Sequence, residues 1–496
     1  MADSVSPAAV VKAPEGEIAA AEEYEEQDRL SQLPDEVLIS ILDKVEVLRD
    51  AVRTTVLSKR WRHLISSLST IILDVSDFEP EDDISDSSVY TLEELAQSNI
   101  SLVQATKSIL AQNSTFTIEL LSITFYLRDE SIDIVRCVDK TMENREVLTA
   151  KFEIMPEKLD IYCTDDDMLT YGKRFMAFFD AYPRAFAGLT DLTLHSLRLG
   201  KSDIPSVLDT CKKLEKLSLE NCDAGIRSIL QFEHSHLFEL SIDCCGFGSV
   251  ELKWLPRLTV LTCSYWLPSQ DQYPLSFGYV PQLWMLLLNN AGTTLHKTFE
   301  LSEFLGNAVI TRLDLNFLCE RIWIQPEDPK RLAPLFKNLQ VVTLRSIHEE
   351  YADLTWTSFF LEAAPCLTEL NTQVSYHTCY SDEEDDYNKN DDMPREIYQK
   401  ASNLLKWDIH ADFKHYNMRK LTIEGFQVAE KFTRFIRRIT EVAVNLEVVS
   451  LLESQPCGRC EFLPSTAYPR TSKETEMIKQ QILDWGVSPI KIELGA

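Results

Sequence analysis

A few short stretches hold residue types that could do chemistry. Cys457-Gly458-Arg459-Cys460 has the spacing of half a zinc clip. Tetrahedral zinc needs two further ligands, for which His377 and Cys379 are the most plausible completers, and one cysteine pair is weak evidence for a metal. Gly200-Lys201-Ser202 ends like a phosphate-binding loop, but His195 stands where the earlier glycine is required, so the backbone cradle is missing. The run Ser381-Asp382-Glu383-Glu384-Asp385-Asp386, followed by Asp391 and Asp392, is acidic enough to interest calcium. It lacks the glycine turn and closing glutamate of a calcium loop and reads as a solvated insertion. The nine histidines never form a His-Glu-x-x-His helix, and no Gly-x-Ser-x-Gly elbow occurs. No catalytic residue, metal (Cys457 and Cys460 included) or cofactor is expected. The chemistry this chain offers is binding.

Composition narrows what it could bind. The 496 residues carry 49 Lys and Arg against 78 Asp and Glu, a formal charge of -29, so a nucleic acid would meet net repulsion. No apolar run approaches the roughly 18 to 20 residues of a membrane span, the strongest candidate, Leu283 to Leu288, being strand-sized. The acidic start, with Asp3, Glu15 and Glu17, is unlike a secretory signal. A cytoplasmic or nuclear location is therefore expected, with the twelve cysteines reduced and most of them, such as Cys222 and Cys263, serving as small buried hydrophobes. Cys244-Cys245 reads the same way rather than as a redox pair.

The elements that would position a binding surface are legible as period. Residues 1–27 are too poor in large apolar groups to fold and read as an acidic tail. Pro34 suits the first turn of a helix, with Asp35 and Glu36 at its positive end, and Leu33, Val37, Leu38, Ile41, Leu42 and Val45 recur at helical spacing. Asp50 and Ser58 can cap two further helices carrying Val56, Leu57 and Trp61. This unit, 28–70, is small enough that a partner is expected to cover part of it. Residues 71–115 read as a linker, with a helix near Leu92 to Leu110.

From 116 to 375 the phrase L-x-x-L-x-L recurs, as in Leu189-x-x-Leu192-x-Leu194, Leu214-x-x-Leu217-x-Leu219, Leu283-x-x-Leu286-x-Leu288 and Ile310-x-x-Leu313-x-Leu315. Most copies are separated by about 21 to 29 residues, the leucine-rich-repeat range. After the flexible insertion, 376–402, further repeats fill 403–470, and a helix within 471–496 is expected to cap the open end. The predicted fold class is α/β: a helical N-terminal unit, then an irregular right-handed solenoid with a concave parallel sheet. Alternation sends Ser218, Glu220, Ser241, Asp243, Asp314, Asn316, Thr343 and Arg345 outward from that sheet, where they are candidates for holding a target or for a merely solvated face. Trp254, Trp266, Trp284, Trp323 and Trp356 could form a ligand platform, but such residues more often fill gaps between solenoid layers.

The stretch Asp28-Arg29-Leu30-Ser31-Gln32-Leu33-Pro34-Asp35-Glu36-Val37-Leu38, continued by Asp50-Ala51-Val52-Arg53 to Lys59-Arg60-Trp61-Arg62, closely resembles a plant F-box. Trp323 to Glu327, Leu354-Thr355-Trp356-Thr357, Leu361-Glu362-Ala363-Ala364-Pro365 and Glu430-Lys431-Phe432 resemble the repeats of plant F-box/leucine-rich-repeat proteins, notably the FBD-associated type of grasses. The resemblance implies a non-enzymatic substrate receptor of an SCF-type (Skp–cullin–F-box) ubiquitin ligase. Its F-box would dock on a Skp-type adaptor, and through it on cullin and a RING subunit, while the repeats hold an unknown protein target. By position it implies Leu33 and Pro34 in the adaptor groove, with Val37, Leu38, Ile41, Val56, Leu57 and Trp61 shared between that contact and the internal core. Ser58, Lys59 and Arg60 belong to the same contact, and the basic cluster of Arg49, Arg53, Lys59, Arg60 and Arg62 suits an acidic partner as well as it suits a solvated helix face. Ile65 departs from the pattern, since relatives often carry Trp there. The alternative is an interaction scaffold with no role in degradation.

Overall fold

A computed structural model of the chain describes residues 33–42, 64, 68–80, 91–110, 116–158, 162–225, 228–266, 273–290, 298–376, 405–456, 467–485 and 490–495. Seventeen strands are numbered in chain order: β1 Thr70–Asp74, β2 Ile118–Tyr126, β3 Val147–Met155, β4 Asp191–His195, β5 Lys216–Glu220, β6 Ile229–Glu233, β7 Glu239–Asp243, β8 Ser249–Trp254, β9 Val260–Ser264, β10 Leu275–Tyr279, β11 Met285–Asn289, β12 Arg312–Asn316, β13 Val341–His348, β14 Glu369–Ser375, β15 Lys420–Glu424, β16 Val448–Leu452 and β17 Lys491–Gly495. Among the described residues, fourteen of them form one sheet in strictly sequential order, skipping β6, β8 and β10, and the neighbours are parallel.

The leucine phrase explains the sheet. In β5 Leu217 and Leu219 are buried while Lys216, Ser218 and Glu220 are half-exposed, and β4, β7, β14 and β15 repeat that alternation. Register keeps the rows straight: Leu217 faces Leu240, which faces Leu261, which faces Leu286. Each fully buried leucine is worth about 1.5–3 kcal/mol, and it is covered only because a neighbouring repeat lies beside it.

The ends of each strand are locked by a recurring backbone device. At the entry one carbonyl accepts from two successive amides of the next repeat: Thr190 from Glu215 and Lys216, Glu215 from Phe238 and Glu239, Thr259 from Trp284 and Met285. At the exit the chain turns through a left-handed residue, Ser196, Asn221, Cys244, Tyr265 or Gly425, while the left-handed Ser346 sits inside β13 at its register shift. A Cβ on Gly425 would lie 2.1 Å from the Val374 carbonyl oxygen, so only glycine fits that turn. Cys222 follows its left-handed residue rather than being it. Its thiol lies 3.4 Å from the Leu194 carbonyl, and Cys245 repeats the contact to Leu219 at 3.3 Å, so the thiols tie repeat to repeat.

The buried side of the large sheet is covered mostly by helices, including Leu92–Leu110, Ile132–Asn144, Asp165–Ala181, Asp203–Thr210, Pro329–Phe336 and Glu430–Val442. Between β5 and β11 the covering layer is instead a second parallel sheet, β10-β8-β6. Its edge strand β6 carries period-2 burial, Leu230 and Phe232 inward with Ile229, Gln231 and Glu233 outward. The expected terminal cap is corrected: helix Ser472–Leu483 is a covering element between β16 and β17, and β17 forms the sheet edge. The first strand, β1, starts at Thr70, within the boundary between the expected helical unit and linker. The acidic run 381–386 and the Cys457 and Cys460 pair lie outside the described residues. Gly200 donates its amide to Asp203 Oδ2 at 2.6 Å, so the chain's own carboxylate occupies the place a phosphate would need.

Two buried histidines bolt covering helices to the sheet. His234 and His415 each stand three residues before the first buried apolar residue of a strand phrase, Leu237 or Met418. In each, Nδ1 accepts from that residue's amide, at 2.9 and 3.0 Å, and Nε2 reaches the carbonyl ending the preceding helix, Cys211 or Ala364, at 3.0 Å. That pattern requires a neutral ring with its proton on Nε2. Burial holds both imidazoles below the ordinary histidine range. Their contribution is complete above about pH 6.5, where the unfolded side chain is also neutral, and is lost as pH falls below that value. His234→Ala and His415→Ala are each expected to cost about 1–3 kcal/mol at pH 7.5 and less at pH 5.5, read by urea unfolding. An unchanged cost at the lower pH would contradict the neutral-ring role.

Candidate functional sites: an exposed N-terminal ridge and the open sheet face

The first site is a ridge on helix Asp35–Leu42. Pro34 is exposed, Val37 is 42% and Ile41 40% exposed, whereas Leu38 on the other side is fully buried. Positions 34, 37 and 41 fall on one helical stripe, so the helix has one apolar face turned inward and another facing solvent. Leu33 packs partly against the core. The structure thus separates what the sequence left joined: Leu38 belongs to the interior, and Pro34, Val37 and Ile41 are available to a partner. Val56, Leu57, Ser58, Lys59, Arg60 and Trp61 lie outside the described residues.

The second site is the sheet face opposite the covering layer. Its middle row is rich in hydroxyls: Thr193, Ser218, Ser241 and Thr262 are consecutive neighbours, and Thr343 continues the row beyond Leu287 and Asp314. The row at the strand ends reads His195, Glu220, Asp243, Ser264, Asn289, Asn316 and Arg345. The eight predicted positions therefore lie on one face in two clusters. Ser218, Glu220, Ser241 and Asp243 sit on β5 and β7, and Asp314, Asn316, Thr343 and Arg345 on β12 and β13. The intervening strands β9 and β11 hold the clusters three strand spacings, about 14 Å, apart.

Not all eight are equally available. Asp314 is 2% exposed and lies beneath Arg345, whose Nε and Nη2 reach its carboxylate at 3.0 and 2.8 Å. This corrects its assignment as an outward contact: Arg345 is what a partner would meet. Asn316 spends its Oδ1 on the Leu318 amide at 3.0 Å, holding the turn. Asp243 has one buried carboxylate oxygen with no partner among the described residues, and burial, then the neighbouring Glu220, raises its pKa above the usual range.

Sequence reasoning missed His195, which the register places between two acids. Its Nδ1 is 3.2 Å from Glu220 and its Nε2 3.4 Å from Glu153, ion-pair contacts rather than well-aligned hydrogen bonds. Burial disfavours the charged ring, but the two carboxylates outweigh it and push the pKa up to about 10. The signal available was the alternation placing His195 outward beside Glu220, 25 residues on. Of the tryptophans, Trp266, Trp323 and Trp356 are buried as gap fillers, with Trp266 edge-on to Trp323 at 5.2 Å. Trp254 and Trp284 are exposed. Among the described residues no cluster of three or more potential metal ligands occurs, and no helix is long and apolar enough to cross a membrane.

Residues 30–73, which include the ridge, match the F-box domain family model, and residues 179–485 match that of the At1g61320/AtMIF1 LRR domain. This chain is a plant F-box/leucine-rich-repeat protein. Its similarity to an F-box/FBD/LRR-repeat protein of Arabidopsis thaliana, At1g13570, is 22% identity over 92% of this chain and 99% of that one. F-box/LRR-repeat protein 25 of the same plant is 23% identical over 40% of this chain and 69% of its own. The FBD-associated F-box protein At1g60410, also from Arabidopsis thaliana, is 45% identical over 58 residues, 12% of this chain and 14% of its own. F-box/leucine-rich-repeat proteins are typically non-catalytic adaptors, and an F-box in general implies binding to a Skp-type adaptor.

In this F-box/leucine-rich-repeat protein the charged His195 contributes its full stabilisation below about pH 6.5, its unfolded pKa, and loses it as pH rises through about 10. His195→Gln is therefore expected to destabilise the protein by about 1–3 kcal/mol at pH 6 and by much less at pH 10.5, measured by denaturant unfolding at both values. A constant difference would show that the ring acts by packing alone.

Proposed function

We propose that the chain is the target-recognition subunit of an SCF-type ubiquitin ligase. The reading rests chiefly on one observation: Pro34, Val37 and Ile41 form a solvent-facing apolar stripe inside the segment that matches the F-box. Leu33 and Pro34 seat the entry of the helix against a Skp-type adaptor, and Val37 and Ile41 continue the contact. Through the adaptor the chain joins cullin and a RING subunit, which supply the chemistry of ubiquitin transfer. The repeats contribute no reacting group; they hold a protein target against the open face through Ser218, Glu220, Ser241 and Asp243 at one cluster and Thr343 and Arg345 at the other. Asn316 holds the turn at the end of β12, and the buried Asp314 supports Arg345 from beneath.

Covering the exposed parts of Val37 and Ile41 is worth on the order of 2 kcal/mol together, which is more than tenfold in affinity. A charge placed there would in addition be desolvated. Val37→Asp with Ile41→Asp is expected to weaken binding of the recombinant full chain to a Skp-type adaptor by about 100-fold or more, measured by biolayer interferometry. Both positions face solvent, so the circular dichroism of the variant should match the wild type. Undiminished adaptor binding would remove the proposal. A chain that binds adaptor and target but supports no ubiquitin transfer to that target in a reconstituted reaction would instead be a scaffold.

A further inference from the structure

A cleft of about 330 Å³, lined by none of the ridge or open-face residues named above, opens where helix Ile132–Asn144 runs into β3. Its wall combines Arg145, Arg184 and Lys213 with one carboxylate, Glu146, and the apolar Met142 and Val147. Three cations against one acid is unusual on a chain of net charge -29. Arg184 is already engaged by Glu143 at 3.0 Å and Asp139 at 3.8 Å, and Glu146 lies 3.4 Å from the Thr117 hydroxyl. Lys213 is exposed and has no ion pair among the described residues.

Arg145 is the informative member. It is only 7% exposed; its Nε donates to the Phe116 carbonyl at 2.9 Å, but Nη1 and Nη2 are buried with no hydrogen-bond partner among the described residues. A guanidinium keeps its charge under such burial, and its two Nη groups form a fork shaped for two oxygens of one anion. A buried, unpaired cation is destabilising, and an apolar side chain of similar volume would serve packing better. We propose that this cleft is a binding site for a small phosphate-type oxyanion, gripped by the Arg145 fork and closed over by Arg184 and Lys213. The volume is at the lower end for small organic ligands, so the site has room for a phosphate monoester as well as the free ion. Met142 lines the same cleft, and its thioether lies 2.4 Å from where a Cβ on Gly188 would be. Glycine at that position leaves the space for the thioether, and an unbranched methionine is a side chain that can repack around an oxygen entering the fork.

The test uses the full chain, titrated with sodium phosphate or glycerol phosphate against sodium chloride of equal ionic strength, with melting temperature and calorimetric heat as readouts. Saturable stabilisation by either phosphate, absent with chloride, is expected; saturation by inorganic phosphate identifies the free ion as sufficient, and a response only to glycerol phosphate identifies the monoester. Arg145→Met should melt no lower than wild type without ligand and lose the phosphate response. Lys213→Glu, at an exposed position that leaves folding intact, should weaken binding by about tenfold. A phosphate response no larger than that of chloride, or one retained in full by both variants, would overturn the site. Neither result bears on adaptor binding or target capture, which use other surfaces.

Discussion

Lateral coverage of leucine is the constraint on which this molecule depends. Leu217, Leu240, Leu261 and Leu286 are buried because each has the next strand beside it, and the shared carbonyls at the strand entries fix the register that keeps them aligned. A slip of one residue would turn every leucine outward and bring Ser218, Glu220 and their equivalents inward. The alternation that stabilises the sheet is therefore also what creates its open face. Residues on that face can vary without disturbing the interior, because the two sets occupy alternate positions on the same strands.

Charge on that face is organised by the same register. Ion pairs such as Lys216 with Glu239, 2.7 Å apart, and Arg345 with Asp314 join neighbouring strands, and His195 is held between carboxylates from the strands on either side. None of these partners is close in sequence. The buried histidines of the covering side obey the opposite electrostatic logic: His234 and His415 work only when neutral, whereas His195 works only when charged. Acid should thus loosen the joints between helix and sheet while leaving the open-face network intact, and strong base should do the reverse.

Much of the fold was legible because the repeat phrase carries its own geometry: Leu-x-x-Leu-x-Leu specifies strand, inward face and approximate spacing together. The outward placement of Glu220, Asp243 and Arg345 followed from alternation alone. Burial of Asp314 did not, since it depends on Arg345, 31 residues away, folding back over it. The second sheet was not legible, although Ile229-Leu230-Gln231-Phe232-Glu233 alternates clearly, because its strands carry no Leu-x-x-Leu-x-Leu phrase and stand where other repeats place a helix. Leu33, Val37, Leu38 and Ile41 read as a single amphipathic stripe, and only packing distinguished the buried Leu38 from the exposed Val37 and Ile41. The Arg145 cleft was not legible at all: its wall joins three segments that the sheet brings together, and no local pattern marks a guanidinium as unpaired.

The substitution of strands for helices between β5 and β11 has a mechanical consequence. Strands repeat every 4.7–4.9 Å, whereas helices packed side by side need 8–10 Å, and this mismatch between inner and outer layers is what bends a solenoid. Where both layers are strands the two spacings are equal and the mismatch vanishes. The span from β5 to β11 therefore carries no spacing mismatch to bend it; the polar cluster on β5 and β7 stands at its beginning, and the cluster on β12 and β13 stands just past its end, where helices resume the covering layer.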